Sequence, residues 1–142
     1  MKSILLDTGV IVASLDRSER FHRVCAETIV EPGPPLVTTE AVIVESCYLL
    51  RDISGAAEAV LGNVAEGNFR IPITLSQSAQ PVARIMQKYD DRRIDLADAS
   101  LIHLATELNS PDILTLDRDF EFYRWGRSNP FRLLIGLDNS RL

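Results

Sequence analysis

The sequence is poor in cysteine, in lysine and in long apolar runs, and each shortage excludes a class of protein. Its two cysteines, Cys25 and Cys47, lack the spacing of a metal site. No apolar run reaches the length of a membrane span, so we expect no membrane association. Asp7 interrupts the first apolar run, which is therefore too short for a signal peptide. We accordingly expect a cytoplasmic protein, a compartment that disfavours a disulfide.

Positive charge is also scarce. The 142 residues carry a net charge of −5, so no overall basic field attracts a nucleic acid. Only Lys2 and Lys88 are lysines, whereas 13 of the 15 basic residues are arginines. Because arginine suits bidentate phosphate contacts, this composition still allows a local basic rim.

Short apolar runs alternate with longer segments of helical periodicity. The alternation predicts a mainly parallel sheet covered on both faces, that is, a three-layer α/β/α sandwich. The length predicts one domain over residues 1–142. Strands are predicted at residues 3–6, 36–38, 69–72, 113–115 and 131–135, and helices at 10–15, 21–30, 39–50, 54–66, 76–89 and 95–108. Pro81 fits the fifth helix if that helix starts at Gln80.

Carboxylates recur where this fold would place a ligand. Asp7 and Asp117 each follow a predicted strand, and ligands of such folds bind beyond the carboxyl ends of strands. Asp98 begins a helix, and Glu45 lies among apolar positions of another, where a carboxylate is costly unless it is paired or holds a cation. Helix capping by the aspartates, and a Glu45 that reaches water or an arginine, are the alternative explanations.

These four side chains form the candidate catalytic and metal-binding set, here named the acidic cluster: Asp7, Glu45, Asp98 and Asp117. Carboxylates in one pocket repel each other, and a divalent cation relieves that repulsion. Oxygen ligands without histidine or cysteine select Mg²⁺ or Mn²⁺. The sequence has no Gly-rich phosphate loop and no G-x-S-x-G elbow, so hydrolysis by metal-activated water is the chemistry that the residues support.

Four motifs now carry a family resemblance. They are Leu5-Leu6-Asp7-Thr8, Val44-Glu45-Ser46, Asp95-Leu96-Ala97-Asp98-Ala99 and Leu114-Thr115-Leu116-Asp117-Arg118-Asp119-Phe120. In order and spacing they resemble a PIN domain, and the chain is similar throughout to the small VapC-type toxins of bacterial toxin–antitoxin pairs. The resemblance implies an α/β/α fold, Mg²⁺- or Mn²⁺-dependent endoribonuclease activity, a homodimer and a cognate antitoxin. It also implies that the acidic cluster is catalytic.

Further residues are expected around this cluster. Thr8 and Thr115 match hydroxyl positions that support the pocket in relatives, and Asp95 is expected at the edge of the pocket as a helix cap or as a group that supports the metal ligands. The loop between Arg118 and Asp119 is one residue shorter here than in many relatives. Two roles for Asp119 therefore stay open, either support of the pocket or formation of a turn. Five arginines, here named the arginine set, are predicted to bind RNA at the rim: Arg17, Arg20, Arg92, Arg93 and Arg118. The alternative is that they pair with nearby carboxylates in solvated loops.

Two other functions compete with the nuclease. A catalytically silent PIN domain could act as an RNA- or partner-binding module, although all four acidic positions are retained. A phosphatase or receiver domain is a further alternative, but Asp7-Thr8-Gly9 lacks the second aspartate of the phosphatase signature. The sequence names neither the RNA target nor the antitoxin.

Overall fold

A computed structural model describes residues 2–136, so Met1 and residues 137–142 of the expected single domain lie outside the described part. A five-stranded parallel sheet has the order β3-β2-β1-β4-β7. Its strands are β1 (Ile4–Leu6), β2 (Leu36–Val37), β3 (Phe69–Arg70), β4 (Asp112–Leu114) and β7 (Arg132–Leu133). A separate antiparallel hairpin joins β5 (Arg124–Trp125) to β6 (Asn129–Pro130).

The strands of this sheet are short, with two or three residues each. β1 is central and pairs Leu5 with Val37 on one side and with Ile113 on the other. Leu5 and Ile113 are fully buried, as expected for a parallel strand covered on both faces. All five strands are parallel, so their carboxyl ends share one edge of the sheet.

The helices of the described chain are α1 (Thr8–Leu15), α2 (His22–Val30), α3 (Glu40–Leu49), α4 (Ala56–Ala65), α5 (Leu75–Lys88) and α6 (Leu96–Leu108). The connections through α1–α2 and α3–α4 move outward along the sheet, and the α5–α6 connection returns to β4. With right-handed crossovers, α1–α4 therefore cover one face and α5–α6 the other. The predicted three-layer α/β/α fold is confirmed.

Side-chain caps explain where several helices begin. The Thr39 hydroxyl accepts a hydrogen bond from the Val42 amide at 3.3 Å and starts α3. Thr74 and Gln77 form a reciprocal capping box at the start of α5. At the other end of a helix, Asn109 adopts the left-handed conformation at φ 51° and terminates α6.

The helix predicted over residues 76–89 spans Leu75–Lys88 in the structure. The Thr74 capping box starts it, so Pro81 lies inside the helix and not in the first turn that a start at Gln80 would give. Proline lacks an amide hydrogen, which leaves the Gln77 carbonyl without its helical donor. Gln77 is exposed, so water can satisfy that carbonyl.

The predicted last strand over residues 131–135 is shorter in the structure and spans Arg132–Leu133. The β5–β6 hairpin before it was not predicted, because two-residue strands give no readable alternation. Among residues 2–136, no helix has the length and apolarity needed to cross a membrane.

Candidate active site

Asp7 stands immediately after the central strand β1 and caps α1. Its Oδ1 accepts a hydrogen bond from the Thr8 amide at 2.8 Å, and its Oδ2 accepts one from the Thr115 hydroxyl at 2.7 Å. Asp7 is only 5% exposed, so burial fixes the carboxylate as firmly as these bonds do. The predicted position at a strand end is therefore correct, and so is the alternative assignment as a helix cap.

Thr115 connects Asp7 to the segment that carries Asp117. Its hydroxyl donates to Asp7 and also accepts a hydrogen bond from the Asp117 amide at 3.0 Å. The Asp117 carboxylate in turn accepts the Asp119 amide at 2.9 Å and caps a 3₁₀ turn at Arg118–Glu121. Asp119 itself is exposed and contributes this backbone donor to the turn.

Asp95 and Asp98 have different environments at the start of α6. Asp95 Oδ1 accepts the Asp98 amide at 2.8 Å, so Asp95 is the helix cap that we expected. Asp98 is 9% exposed and lies one turn into the helix. Its carboxylate is not the cap, so the cap hydrogen bond does not explain why this side chain is buried.

All members of the acidic cluster line one cleft at the carboxyl edge of the sheet. The cleft has a volume of about 400 Å³ and opens to solvent. Its lining residues are Asp7, Thr8, Gly9, Val12, Glu19, Glu45, Leu49, Asp95, Asp98, Leu116 and Asp117. Glu45 reaches it from α3 and is half-buried there. The four elements β1, α3, α6 and β4 thus each direct one carboxylate towards a common space.

Burial and mutual repulsion disfavour the charged forms of these acids. Burial raises the pKa of Asp98 to about 9, and the charges of Asp7, Asp95, Asp117 and Glu45 add to this effect. Burial also raises the pKa of Asp7 to about 6, although the Thr115 and Thr8 hydrogen bonds oppose it. The pKa of Asp117 is raised by burial as well, with the Asp119 amide opposing. The cleft therefore favours the uptake of positive charge.

The residues fit a hard divalent cation in their chemistry. The cluster offers only oxygen ligands, and the buried Thr8 hydroxyl oxygen beside Asp7 has no hydrogen-bond partner within the described part of the chain. An unpartnered buried hydroxyl is unusual and points to a missing ligand or water. Among residues 2–136, however, no three His, Cys, Asp or Glu side chains are already arranged as the ligands of one ion. Mg²⁺ commonly retains several waters, which reduces the number of direct protein ligands it needs.

The arginine set lies outside the cleft. All five are exposed and none lines it. Arg118 pairs with Glu121 at 3.5 Å, Arg20 lies over the Phe21 ring, and Arg92 lies over the Phe122 ring. RNA binding by these residues stays a prediction.

Two nearby residues were missed by sequence reasoning. Glu19 lines the cleft from the loop between α1 and α2, where a polar turn gives no signal of function. Tyr123 lies behind the cluster, and its hydroxyl pKa is raised by burial and by the charge of Asp98. Neither position could be read from periodicity, because loop geometry and tertiary packing place both.

Comparisons with known proteins identify the family and the fold of this chain. The family model described as "PIN domain" matches residues 4–126. The chain is 34% identical over 117 residues to Ribonuclease VapC26 of Mycobacterium tuberculosis (strain ATCC 25618 / H37Rv), covering 81% of this chain and 87% of that protein. The crystal structure of Mycobacterium tuberculosis VapC20, described as a sarcin–ricin loop cleaving toxin, superposes with a TM-score of 0.76 at 18% identity. That match covers 89% of this chain and 99% of VapC20.

Proposed function

Because the chain belongs to the PIN domain family, we propose that it is a divalent-metal-dependent endoribonuclease and the toxin of a toxin–antitoxin pair. The observation that carries the proposal is the single cleft into which four elements direct the acidic cluster. The relative that shares 34% of its residues is a ribonuclease, which supports RNA as the substrate. The VapC20 structure with the same fold is that of a toxin, which supports the biological role.

The acidic cluster would hold Mg²⁺ or Mn²⁺. A cation bound there supplies an activated water and neutralises charge that develops on the phosphate. The remaining tasks fall to the chain itself. Thr115 and the Thr8 amide orient Asp7, and the Asp95 cap fixes the first turn of α6 that carries Asp98. Without a cation, the carboxylates that remain charged repel a phosphodiester, so either a bound cation or the removal of a carboxylate charge should strengthen RNA binding.

The direct test measures RNA cleavage and metal binding separately. Asp98→Asn is compared with Asp52→Asn, the same change at an exposed carboxylate that does not line the cleft. We expect Mg²⁺-dependent cleavage of a labelled RNA by the unsubstituted protein, full activity in Asp52→Asn, and a loss of about 100-fold or more in Asp98→Asn. A hairpin with the sarcin–ricin loop and an unstructured RNA serve as the two substrates. Mn²⁺ affinity, measured by electron paramagnetic resonance, should fall only in Asp98→Asn.

One observation favours the alternative of a catalytically silent module, namely that no ready-made ligand group for one ion exists within residues 2–136. A silent domain would bind RNA or a protein partner without cleavage at any Mg²⁺ or Mn²⁺ concentration. In that case the Mn²⁺ affinity of the unsubstituted protein would be no higher than that of the Asp98→Asn variant. The assay above therefore separates the two functions without further variants.

Partner surfaces complete the proposal. We propose a cognate antitoxin and a homodimer, and the exposed apolar side chains show where a protein could dock. A groove of about 640 Å³ beside the cleft is lined by Ala41, Val44, Tyr48, Leu75, Leu96 and Ala97 together with Glu40, Glu45 and Asp95. The apolar content of the predicted helices over residues 39–50 and 54–66 makes them the interface candidates, and the first of these, α3, contributes Val44 and Tyr48 to this groove. The other helix, α4, exposes only Leu61 among its large apolar side chains.

A further inference from the structure

One exposed aromatic side chain near the cleft has no part in the proposed chemistry. Phe122 is 48% exposed and directly follows the 3₁₀ turn that Asp117 caps. The Cζ atom of Arg92 lies 3.3 Å from the centre of its ring. Arg92 is itself exposed, in a 3₁₀ turn at Asp90–Arg92. A guanidinium that stacks on a ring keeps its outer face available for a second planar group.

Buried aromatic side chains hold this pair in place. Tyr89 meets the Phe122 ring edge-on at 6.1 Å and the Tyr123 ring at 5.1 Å. The Tyr89 hydroxyl accepts a hydrogen bond from the Arg124 amide at 3.0 Å, which ties the end of α5 to the segment after Phe122. Tyr89 and Tyr123 are both buried. Because the stack is anchored before any ligand arrives, binding to it costs little conformational entropy.

The stack lies beside the acidic cleft. Arg92 precedes by three residues the Asp95 carboxylate that lines the cleft, and Phe122 follows Asp117 by five. The buried ring of Tyr123 connects the two, since it packs on Tyr89 and its hydroxyl feels the charges of Asp98 and Asp95. Because three residues of chain span at most about 10 Å, the Arg92 backbone lies within that distance of the Asp95 that lines the cleft, so a strand with a phosphate in the cleft can also reach the stack.

We propose that Arg92 and Phe122 form a platform on which one unpaired nucleobase of the RNA stacks, next to the phosphate held in the cleft. This inference rests on the proposed ribonuclease function and adds a determinant of where the strand is placed. Unpaired bases stack on aromatic rings and on guanidinium planes. A protein with a net charge of −5 gains little from long-range attraction to RNA, so short-range stacking is a suitable source of affinity. The competing explanation is that the pair only joins two turns.

The test uses the Asp98→Asn protein, to prevent cleavage, and a short single-stranded RNA with 2-aminopurine at successive positions. We expect fluorescence quenching at one position only, and its loss in Phe122→Ala and Phe122→Leu. Phe122→Tyr is the matched control and should keep the quenching. Affinity should fall about 5- to 100-fold in the alanine variant, the range for loss of one stacked base.

Arg92→Lys separates stacking from charge, because lysine keeps the charge but not the plane. We expect weaker binding with an unchanged salt dependence in Arg92→Lys, and a log–log salt slope shallower by about 0.7 in Arg92→Ala. If the unsubstituted protein cleaves RNA while the Phe122→Leu and Arg92→Lys variants bind it with unchanged affinity and quenching, the platform alone is wrong. If the unsubstituted protein neither binds nor cleaves RNA, the ribonuclease proposal and the platform both fail.

Discussion

The Thr115 hydroxyl donates a hydrogen bond of 2.7 Å to Asp7 Oδ2, and the two residues are 108 positions apart in the sequence. The bond joins the ends of the neighbouring strands β1 and β4 and is fully buried. The same hydroxyl accepts the Asp117 amide, so one oxygen atom sets the relative positions of two members of the acidic cluster. Thr115 is therefore a positioning residue, whose effect on chemistry passes through Asp7.

The first prediction follows from this bond. Thr115→Val keeps the shape of the side chain and removes the hydroxyl, so we expect Mn²⁺ affinity to fall about 10- to 100-fold, as is typical for groups that orient metal ligands. The free energy of unfolding should fall by about 1–3 kcal/mol, because the Asp117 amide loses its partner. Calorimetric titration with Mn²⁺ and urea unfolding measure the two effects.

Thr38→Val is the matched control for that experiment. The buried Thr38 hydroxyl donates to the Leu6 carbonyl at 2.8 Å, on the other side of β1, and makes no hydrogen bond to a carboxylate of residues 2–136. The Thr38→Val substitution should lower the free energy of unfolding and leave the Mn²⁺ affinity unchanged. Equal losses of affinity in both variants would show that Thr115 acts only through general stability.

The second prediction concerns the burial of Asp98. Burial raises the pKa of Asp98 to about 9 in the folded protein, whereas the unfolded chain has the ordinary value of 3.8. Between these two pH values the folded protein retains a proton that the unfolded chain has released, so the metal-free protein loses stability as the pH rises. Asp98→Asn resembles the protonated carboxyl at every pH. At pH 8 with a chelator, we expect this variant to be more stable than the unsubstituted protein by about 1–3 kcal/mol.

Thermal unfolding from pH 4 to pH 9 checks this expectation. The gap between the two proteins should be small near pH 4, widen with pH, and close when Mn²⁺ is added to the unsubstituted protein. Asp52→Asn, at an exposed site, should follow the unsubstituted curve. Parallel curves for all three proteins would mean that the Asp98 carboxylate is not held in a disfavoured charged state.

The sequence predicted the parts of this site that depend on strand order. Asp7 and Asp117 follow strands that parallel pairing brings side by side, and Asp98 begins a helix whose periodicity is plain. These features repeat along the chain, so local patterns are enough to detect them. The convergence of Glu45 was open to two explanations, because periodicity shows which face a residue occupies but not what faces it.

Other parts could not be predicted, because they depend on contacts between distant segments. Glu19 reaches the cleft from a loop, and the Arg92–Phe122 stack joins turns that are separated by the whole of α6 and β4. The helix predicted from residue 76 begins at Leu75, and the Thr74–Gln77 capping box excludes the later start at which Pro81 would fit the first turn. In that helix the reciprocal hydrogen bonds of the cap outweigh the cost of one missing amide.

The third prediction tests the arginine set by its salt dependence. Arg17 and Arg20 flank Glu19, which lines the cleft, so they are placed to contact the RNA backbone. In the Asp98→Asn protein, the double variant Arg17→Ala, Arg20→Ala should make the log–log slope of single-stranded RNA affinity against salt shallower by about 1.4, that is, about 0.7 for each lost contact. Lys2→Ala removes a charge before β1, at the opposite edge of the sheet, and should leave the slope unchanged. An unchanged slope in the double variant would assign these arginines to solvated loops.

The last prediction concerns the homodimer and the helix that forms it. Val44 on α3 is 69% exposed and lines the apolar groove, whereas Leu61 on α4 is 54% exposed and does not. Burial of such side chains between two copies would supply the main driving force for association. A charge at Val44 would have to be buried in that interface, at a cost of several kcal/mol.

We therefore expect Val44→Asp to sediment as a monomer at micromolar concentration, and Leu61→Asp to remain a dimer. Because both positions are exposed in a single copy, neither substitution should lower the free energy of unfolding of the monomer by more than about 0.5 kcal/mol. Dimers in Val44→Asp and monomers in Leu61→Asp would move the interface to α4, and monomers of the unsubstituted protein would reject the homodimer.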